Sequence, residues 1–451
     1  MTSVTTVATQ RAGPRVLARA EHPISRRDIS KEALKVLYRL QRAGYVAYLV
    51  GGGVRDLMLG RTPKDFDLAT NARPREIRNL FRNSRTIGRR FRLVHVFFRE
   101  AIVEVATFRA SPEPPEGPDD WEEAEQEAIE ADTEVAETAP LPEVTESWGT
   151  PEEDARRRDF TVNALFYDIA DFSVIDHVGG IDDLAARIIR TIGNPDLRFQ
   201  EDPVRQMRAL EYATRLGFEL EADTAAAIER NREAIRTVSG ARLNYELFES
   251  LRSGAAAGIV AAWSRAGLFD LAYPNLRCDG PDTVRLLAAI DRAIAARVPH
   301  ADAALVGAFF LARFLDLVRE MSADGQRLDN VELLQRLHDL LEPTAAGLHL
   351  SNHTVHLLHH GLFTLTKLAR APERGRQVVK LSRQDYFPVA WQLHGLAASA
   401  GLVPPEVHTA WARALERVGQ GRPDEDVVAV GEEQPAGPRR RRRSRRGRRR
   451  R

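Results

Sequence analysis

The sequence from Tyr48 to Asp67, YLVGGGVRDLMLGRTPKDFD, joins a glycine-rich turn to two closely spaced aspartates. The apolar run Val46–Val50 predicts a buried strand, and Gly51–Gly53 predict a tight turn where the backbone can approach a bulky anion. A short helix is predicted over Val54–Leu59. Its first N–H groups, together with the guanidinium of Arg55, suit a phosphate. This order predicts a phosphate site at the end of a strand.

The two aspartates predict a metal site beside that turn. A strand is predicted over Asp65–Leu68, and residues two apart on a strand point the same way, so Asp65 and Asp67 project together. Paired carboxylates repel each other unless a cation lies between them, and hard divalent ions such as Mg²⁺ or Mn²⁺ choose oxygen ligands. The pair therefore predicts metal-dependent phosphoryl transfer. A chance Asp-x-Asp beside an ordinary turn is the alternative.

Five segments along the chain resemble one family. They are LVGGGVRD (49–56), KDFDLATNA (64–72), TIGRRFRLVHV (86–96), RRRDFTVNALFYD (156–168) and EDPVRQMRALEYATRLGF (201–218). In this order they resemble the class II nucleotidyltransferases, which comprise CCA-adding enzymes and bacterial poly(A) polymerases. The resemblance implies an α+β chain with a polymerase-β-like head, built on a small mixed or antiparallel sheet and followed by an all-helical neck and body.

The resemblance also implies roles for individual residues. Asp65 and Asp67 would be catalytic and bind the metal. Gly52, Gly53, Arg55 and Arg158 would bind the nucleotide, and Asp159 would be the third active-site carboxylate.

Glu104 is the structural alternative to Asp159 as the third carboxylate. It interrupts an apolar pattern on a strand predicted at 101–108, which is expected to pair antiparallel with a strand at 91–98. That pairing would bring Glu104 across the sheet to the aspartates. A glutamate exposed on an edge strand is the other explanation.

The segment Glu201–Arg208 predicts base recognition. Asp202 caps and Pro203 starts a helix that places Arg205 and Arg208 one turn apart. An aspartate only accepts hydrogen bonds and an arginine only donates them, so together they match adenine or cytosine and reject guanine and uracil. A simple structural ion pair is the alternative, and these groups do not choose between A and C.

The segment Ile87–Val96 resembles the poly(A) polymerase branch more than the CCA-adding branch. Its arginines Arg89, Arg90 and Arg92 are expected to bind RNA or a triphosphate, or to form a basic rim. The resemblance thus implies template-independent addition of AMP from ATP to RNA 3′ ends in mRNA polyadenylation and turnover. CCA addition to tRNA is the alternative, and a catalytically silent RNA-binding protein is a further one.

Charge is strongly separated along the 451 residues, although the net charge is only +1. The stretch Ser111–Asp154 holds seventeen acidic residues and no Lys or Arg, whereas Arg439–Arg451 holds eleven arginines. Such blocks predict disorder and, for the basic body and tail, a phosphate-backbone partner. The single cysteine, Cys278, excludes a disulfide framework. The apolar run Ala303–Ala312 is too short to span a membrane and predicts a buried helix.

These observations predict five regions. They are a flexible arm (1–28), a nucleotidyltransferase head (29–190) with an acidic disordered insert (111–154), a helical neck with the base-recognition motif (191–250), a helical RNA-binding body (251–420) and a disordered arginine-rich tail (421–451). The protein is expected to be a cytoplasmic monomer that binds ATP and the 3′ ends of mRNA and small RNAs. An RNA chaperone or a degradation complex is expected to recruit it, and no membrane contact is expected.

Overall fold

The computed structural model describes residues 13–87, 93–99, 101–110, 148–323, 328–372 and 375–420. Arg89, Arg90 and Arg92 lie outside these ranges, as do most of the predicted acidic insert and the whole arginine-rich tail. Within the described residues the predicted fold class is confirmed: a mixed sheet with short helices forms the head, and helices form the rest.

The head is built on an eight-stranded sheet among the described residues, in the order β1-β8-β7-β2-β3-β6-β5-β4. These strands are β1 (Arg15–Leu17), β2 (Ala47–Val50), β3 (Asp67–Thr70), β4 (Ser84–Ile87), β5 (Leu93–Phe97), β6 (Ile102–Thr107), β7 (Leu165–Asp168) and β8 (Val174–Asp176). The β3–β6 pair is parallel and the other neighbours are antiparallel.

Five short helices accompany the sheet: α1 (Lys31–Arg42), α2 (Gly52–Met58), α3 (Pro74–Leu80), α4 (Pro151–Arg157) and α5 (Gly180–Ala186). Helix α1 shows why the sequence folds this way. Ser30 caps it by accepting a hydrogen bond from the Ala33 N–H at 3.1 Å. Val36, Leu37 and Leu40 then recur at helical spacing and are fully buried.

The sequence assigns residues 13–28 to the flexible arm, but the structure makes them part of the head. Strand β1 pairs antiparallel with β8, and Ile24 is buried in the core. His22 adds a 2.8 Å hydrogen bond between its Nε2 and the carbonyl of Phe172. The end of the acidic insert is also ordered, because Thr150 caps α4.

The remaining elements are almost entirely helical. A two-stranded parallel sheet joins β9 (Ile188–Ile189) to β10 (Glu219–Leu220). The helices are α6 (Pro195–Glu201), α7 (Val204–Leu216), α8 (Ala222–Asn231), α9 (Gly240–Leu251), α10 (Ala256–Arg265), α11 (Phe269–Ala272), α12 (Pro281–Ala295), α13 (Asp302–Met321), α14 (Asn330–Gly347), α15 (Asn352–Leu368), α16 (Gly375–Ser382), α17 (Phe387–Ser399) and α18 (Pro405–Gly419).

Helix α13 contains the apolar run predicted to be a buried helix, and residues 303–311 are indeed buried. Across the described ranges, no helix combines the length and the apolar character that crossing a bilayer requires. Cys278 is a free, buried thiol whose Sγ lies 2.8 Å from the hydroxyl of Ser264.

Candidate active site

A cavity of about 470 Å³ lies where the head meets helices α7 and α9. It brings together most of the residues that the sequence predicted for the site: Gly52, Gly53, Arg55, Asp65, Asp67, Arg158, Asp159, Asp202, Arg205 and Arg208. Residues separated by more than 150 positions therefore share one space, with acidic groups at the glycine turn and arginines on the helices.

The glycine turn allows two functional side chains to approach the backbone. Gly51 has φ +74°, and a Cβ there would lie 3.1 Å from Nη1 of Arg158 and 4.0 Å from Oδ2 of Asp67. A Cβ on Gly53 would lie 3.2 Å from the carbonyl oxygen of Asp65. Any larger residue at either position would displace the groups that form the cavity wall.

The aspartate pair lies beside this turn, but not on one strand as predicted. Asp67 is the first residue of β3 and pairs with Val50, the last residue of β2. Asp65 precedes the strand. The neighbouring strand β2 ends at Val50 and the backbone turns away at Gly51, so Asp65 has no β2 residue to pair with. Both aspartates nevertheless line the cavity.

Both aspartates are electrostatically strained. Burial, together with the charges of Glu104 and Asp65, raises the pKa of Asp67 to about 6, and Arg158 opposes this rise. Burial also raises the pKa of Asp65, while Lys64 lowers it. A cation at this wall would relieve both effects.

Glu104 lies on β6 opposite His95 of β5, and the two side chains approach to 3.4 Å. The hydrogen bond from His95 holds the pKa of Glu104 below its usual value. Its side chain is 48% exposed and does not line the cavity, yet it is near enough to raise the pKa of Asp67. Glu104 thus acts on the pair through its charge.

Asp159, which the resemblance implies as the third active-site carboxylate, is paired with an arginine. Arg208 donates from Nη2 and Nε to its Oδ2 at 2.7 and 3.1 Å, while the Phe160 N–H and Asn163 donate to Oδ1. Burial raises the pKa of Asp159, but the charge and hydrogen bonds of Arg208 outweigh it and hold the pKa below its ordinary value. Asp159 therefore lines the cavity as a carboxylate that is paired with Arg208.

The arginines of the head that are predicted to bind the nucleotide, Arg55 and Arg158, also contact other side chains of the head. Arg55 is 2% exposed, donates to Asn163 at 2.6 Å and pairs with Asp56 at 2.7 Å. Arg158 donates to Asp154 at 3.0 Å, which leaves its Nη1 near Gly51. Arg158 is thus better placed than Arg55 to contact a bound phosphate.

The predicted base-recognition pair lies at the start of α7. Asp202 accepts from the Val204 N–H at 3.2 Å, and its Oδ2 lies 3.9 Å from Nε of Arg205. Arg205 is held by Glu201 at 3.1 Å. The pair presents an acceptor beside a donor at the cavity wall.

Two family models match the chain. Residues 47–190 match the family described as the poly A polymerase head domain, and residues 217–278 match one described as the probable RNA and SrmB-binding site of polymerase A. Over residues 47–190 the chain is thus similar to a poly A polymerase head domain. The family resemblance predicted from the sequence is confirmed.

Curated relatives and a solved structure agree with this head domain. The chain is 48% identical to a poly(A) polymerase I of Salmonella typhi over 53% of this chain and 49% of that protein. It is 40% identical to a poly(A) polymerase I of Haemophilus influenzae over 59% of this chain and 57% of that protein. The chain therefore spans about half the length of the curated relatives it matches. A CCA-adding enzyme of Bacillus stearothermophilus, solved in complex with CTP, is similar with a TM-score of 0.59 and 26% identity over 86% of this chain and 82% of that one.

Sequence reasoning missed several side chains that line the cavity or pack directly behind its wall. The ring of Tyr212 lies 5.2 Å from the guanidinium of Arg55, and its hydroxyl accepts from Arg208 at 3.0 Å. Glu246 of α9 is buried against Arg242 at 3.1 Å, and burial raises its pKa to about 6. Their spacing of four residues, Arg208 to Tyr212 and Arg242 to Glu246, was the available signal.

The donor set fits a hard divalent cation. No three His, Cys, Asp or Glu side chains in the described ranges form a ready metal cluster. Mg²⁺ is commonly held by one or two carboxylates, with waters and substrate phosphates completing its shell. Asp65 and Asp67 supply that minimum, and Asp67 is buried near Glu104 and Asp65, whose charges a cation would offset.

Proposed function

We propose that this protein transfers AMP from ATP to RNA 3′ ends without a template and releases pyrophosphate. The observation that carries the proposal is a single cavity with the carboxylates of Asp65 and Asp67 on one wall and an Asp202–Arg205 pair on another. The relatives named poly(A) polymerase I, at 40% and 48% identity, support this choice of reaction.

The head residues would hold the triphosphate for in-line attack by the RNA 3′-hydroxyl on the α-phosphate. Asp65 and Asp67 would hold Mg²⁺, or Mn²⁺, which when bound lowers the pKa of the attacking hydroxyl and neutralises phosphate charge. Gly52 and Gly53 let the triphosphate approach the backbone, and Arg158 faces it from across Gly51. Binding both reactants in this geometry accounts for much of the expected rate enhancement.

The helix α7 residues would select the base. Asp202 would accept from the exocyclic amino group of adenine, and Arg205 would donate to its ring nitrogen. Arg208 would be held in place by Asp159 and Tyr212. Cytosine offers the same pattern, so CCA addition to tRNA is the second candidate, favoured by the likeness to a CCA-adding enzyme.

The proposal extends to the setting of the reaction. The acceptors would be mRNA and small RNAs in the cytoplasm, bound by a monomer that an RNA chaperone or a degradation complex recruits. The match of residues 217–278 to a family described as a probable RNA-binding site supports RNA as a partner.

One experiment separates the candidates. Purified protein with Mg²⁺ is given an unstructured RNA or a tRNA lacking its 3′ end, each with ATP or CTP alone. Long extension of the unstructured RNA with ATP alone is the expected result. Short addition that uses CTP on the tRNA would indicate CCA addition instead, and RNA binding without any incorporation would indicate a silent head.

A further inference from the structure

The helical body holds a second cavity, of about 450 Å³, between α14 and α15 near the turn that joins them. Four histidines contribute to its wall: His338, His356, His359 and His360. Of the other described residues that line it, only Glu342 and Asn352 are polar, and none is a lysine or an arginine. The cavity therefore lacks the cations that a phosphate requires.

Aromatic rings cluster around His360 in the wall of this histidine cavity. The ring of His360 is stacked on Tyr386, with centroids 5.2 Å apart and planes at 25°. His356 lies 4.6 Å from His360, centroid to centroid. Such a group of rings offers a surface on which another planar ring can stack.

The ring nitrogens favour a neutral heterocycle over a metal ion. His359 donates from Nε2 to the Leu334 carbonyl at 3.1 Å, and His356 bonds through Nε2 to Asp385 at 3.2 Å. The Nε2 atoms of His356 and His359 are thus occupied. These histidines join no cluster of three metal ligands in the described residues. Burial lowers the pKa of His359 and of His360, so both rings are uncharged at neutral pH. His359 then keeps Nδ1 as an acceptor, and His360 has one donor and one acceptor.

Helix α9 connects the histidine cavity to the active-site cavity. A Cβ on Gly240 would lie 2.2 Å from the Gly347 carbonyl oxygen, and Asn244 donates to the Leu348 carbonyl at 2.9 Å. Arg242 and Glu249 project from the opposite face of α9 and line the active-site cavity. One face of α9 thus packs against the turn between α14 and α15, beside the histidine cavity, and the other face lines the active-site cavity.

We propose that the histidine cavity binds one unpaired base of the RNA strand whose 3′ end occupies the active-site cavity. The identity of the strand rests on the proposed function. The base stacks against the His360 ring and hydrogen-bonds to ring nitrogens, and its phosphates remain outside the cavity. This site grips the acceptor upstream of its 3′ end through a base, not through backbone charge.

The test measures RNA binding without catalysis. A labelled oligo(A) ending in a 3′-deoxy sugar is titrated with the full chain in EDTA, without ATP, at several salt concentrations. His360→Ala should weaken binding about 5- to 100-fold at every salt concentration, and should leave the salt slope unchanged because no phosphate contact is lost. His360→Phe should retain most of the affinity because it keeps the ring. His353→Ala, on the same helix but outside the cavity, is the matched control.

An abasic scan locates the contact. In the wild type, one abasic position upstream of the 3′ end should cost about as much affinity as His360→Ala, and the two losses should not add. Equal binding by His360→Ala and wild type, additive losses at every position, or an effect that appears only when Zn²⁺ is supplied would each overturn the proposal. AMP incorporation is assayed separately, so a silent head would refute the proposed function without affecting this result.

Discussion

The carboxylates of the active-site cavity fall into two groups that differ in how their charge is compensated. Asp65 and Asp67, at the glycine turn, have raised pKa values because they are buried near other carboxylates. Asp159, towards helix α7, is paired with Arg208 and has a lowered pKa. The comparison teaches that a buried aspartate whose charge is only partly compensated favours a bound cation, whereas one paired with an arginine holds that side chain in position.

The largest effect is expected from Asp67→Ala. It should reduce AMP incorporation by roughly a thousand-fold or more, because it removes one of the two carboxylates that would hold the metal. RNA affinity, measured by titration, should be unchanged. The control is Asp182→Ala, at an exposed aspartate of the head. Substantial activity in Asp67→Ala would contradict the site assignment.

Asp159→Ala should act first on stability. It leaves Arg208 largely buried without its partner, so we expect a loss of about 3 kcal/mol in the free energy of unfolding. Denaturant unfolding measures it. Asp196→Ala removes an exposed pair with Arg230 and should cost at most about 1 kcal/mol. If Asp159→Ala is as stable as the wild type but inactive, Asp159 is the third catalytic carboxylate after all.

The raised pKa of Asp67 should make the free energy of unfolding depend on pH. The folded state binds the Asp67 proton more tightly than the unfolded chain does, because the pKa rises from 3.8 to about 6. Ionised Asp67 therefore destabilises the fold above about pH 6, and this penalty disappears as the pH falls towards 4.

The predicted destabilisation by ionised Asp67 is tested by comparing the stability of Asp67→Asn with that of the wild type in EDTA. The variant should be the more stable at pH 8, and the difference should vanish near pH 4. Thermal unfolding at pH 8, 6 and 4.5 is the measurement. A difference that stays constant over this range would show that Asp67 is not strained, and Asp182→Asn serves as the constant reference.

The smallest effect is expected from Glu104→Gln. Removing this charge lowers the pKa of Asp67, so the acid limb of the pH–rate profile should move to lower pH. The rate at pH 8 should fall by less than about tenfold, because Glu104 is outside the cavity. A loss as large as that of Asp67→Ala would instead identify Glu104 as the third carboxylate. Glu219→Gln, exposed on β10, is the control.

Local patterns predicted the parts of this molecule that depend on neighbours in sequence. The sequence predicts a helix over Lys31–Arg42, and α1 has these bounds because its cap and its apolar spacing lie within one segment. The glycine turn and the aspartates were found for the same reason. Strand β3 begins two residues later than predicted, because its first residue is set by the end of β2 and not by its own alternation.

The paired groups of the site could not be predicted in this way. Arg208 and Asp159 are 49 residues apart, so no spacing rule indicates that one neutralises the other. The hydrogen bond from Arg55 to Asn163 joins residues 108 positions apart, so no local pattern indicates it either. Tyr212 has the spacing of any residue that packs on a helix face, and only the fold directs it towards the arginines.

Strand β1 has a practical consequence for handling the protein. A sheet edge exposes a row of unpaired N–H and C=O groups that can pair with another molecule. Because β1 covers β8, deletion of residues 13–28 would uncover the edge of β8 and remove Ile24 from the core. Loss of the short strand β1 should therefore promote edge-to-edge aggregation through β8. A tag is better attached before residue 13 than in place of residues 13–28.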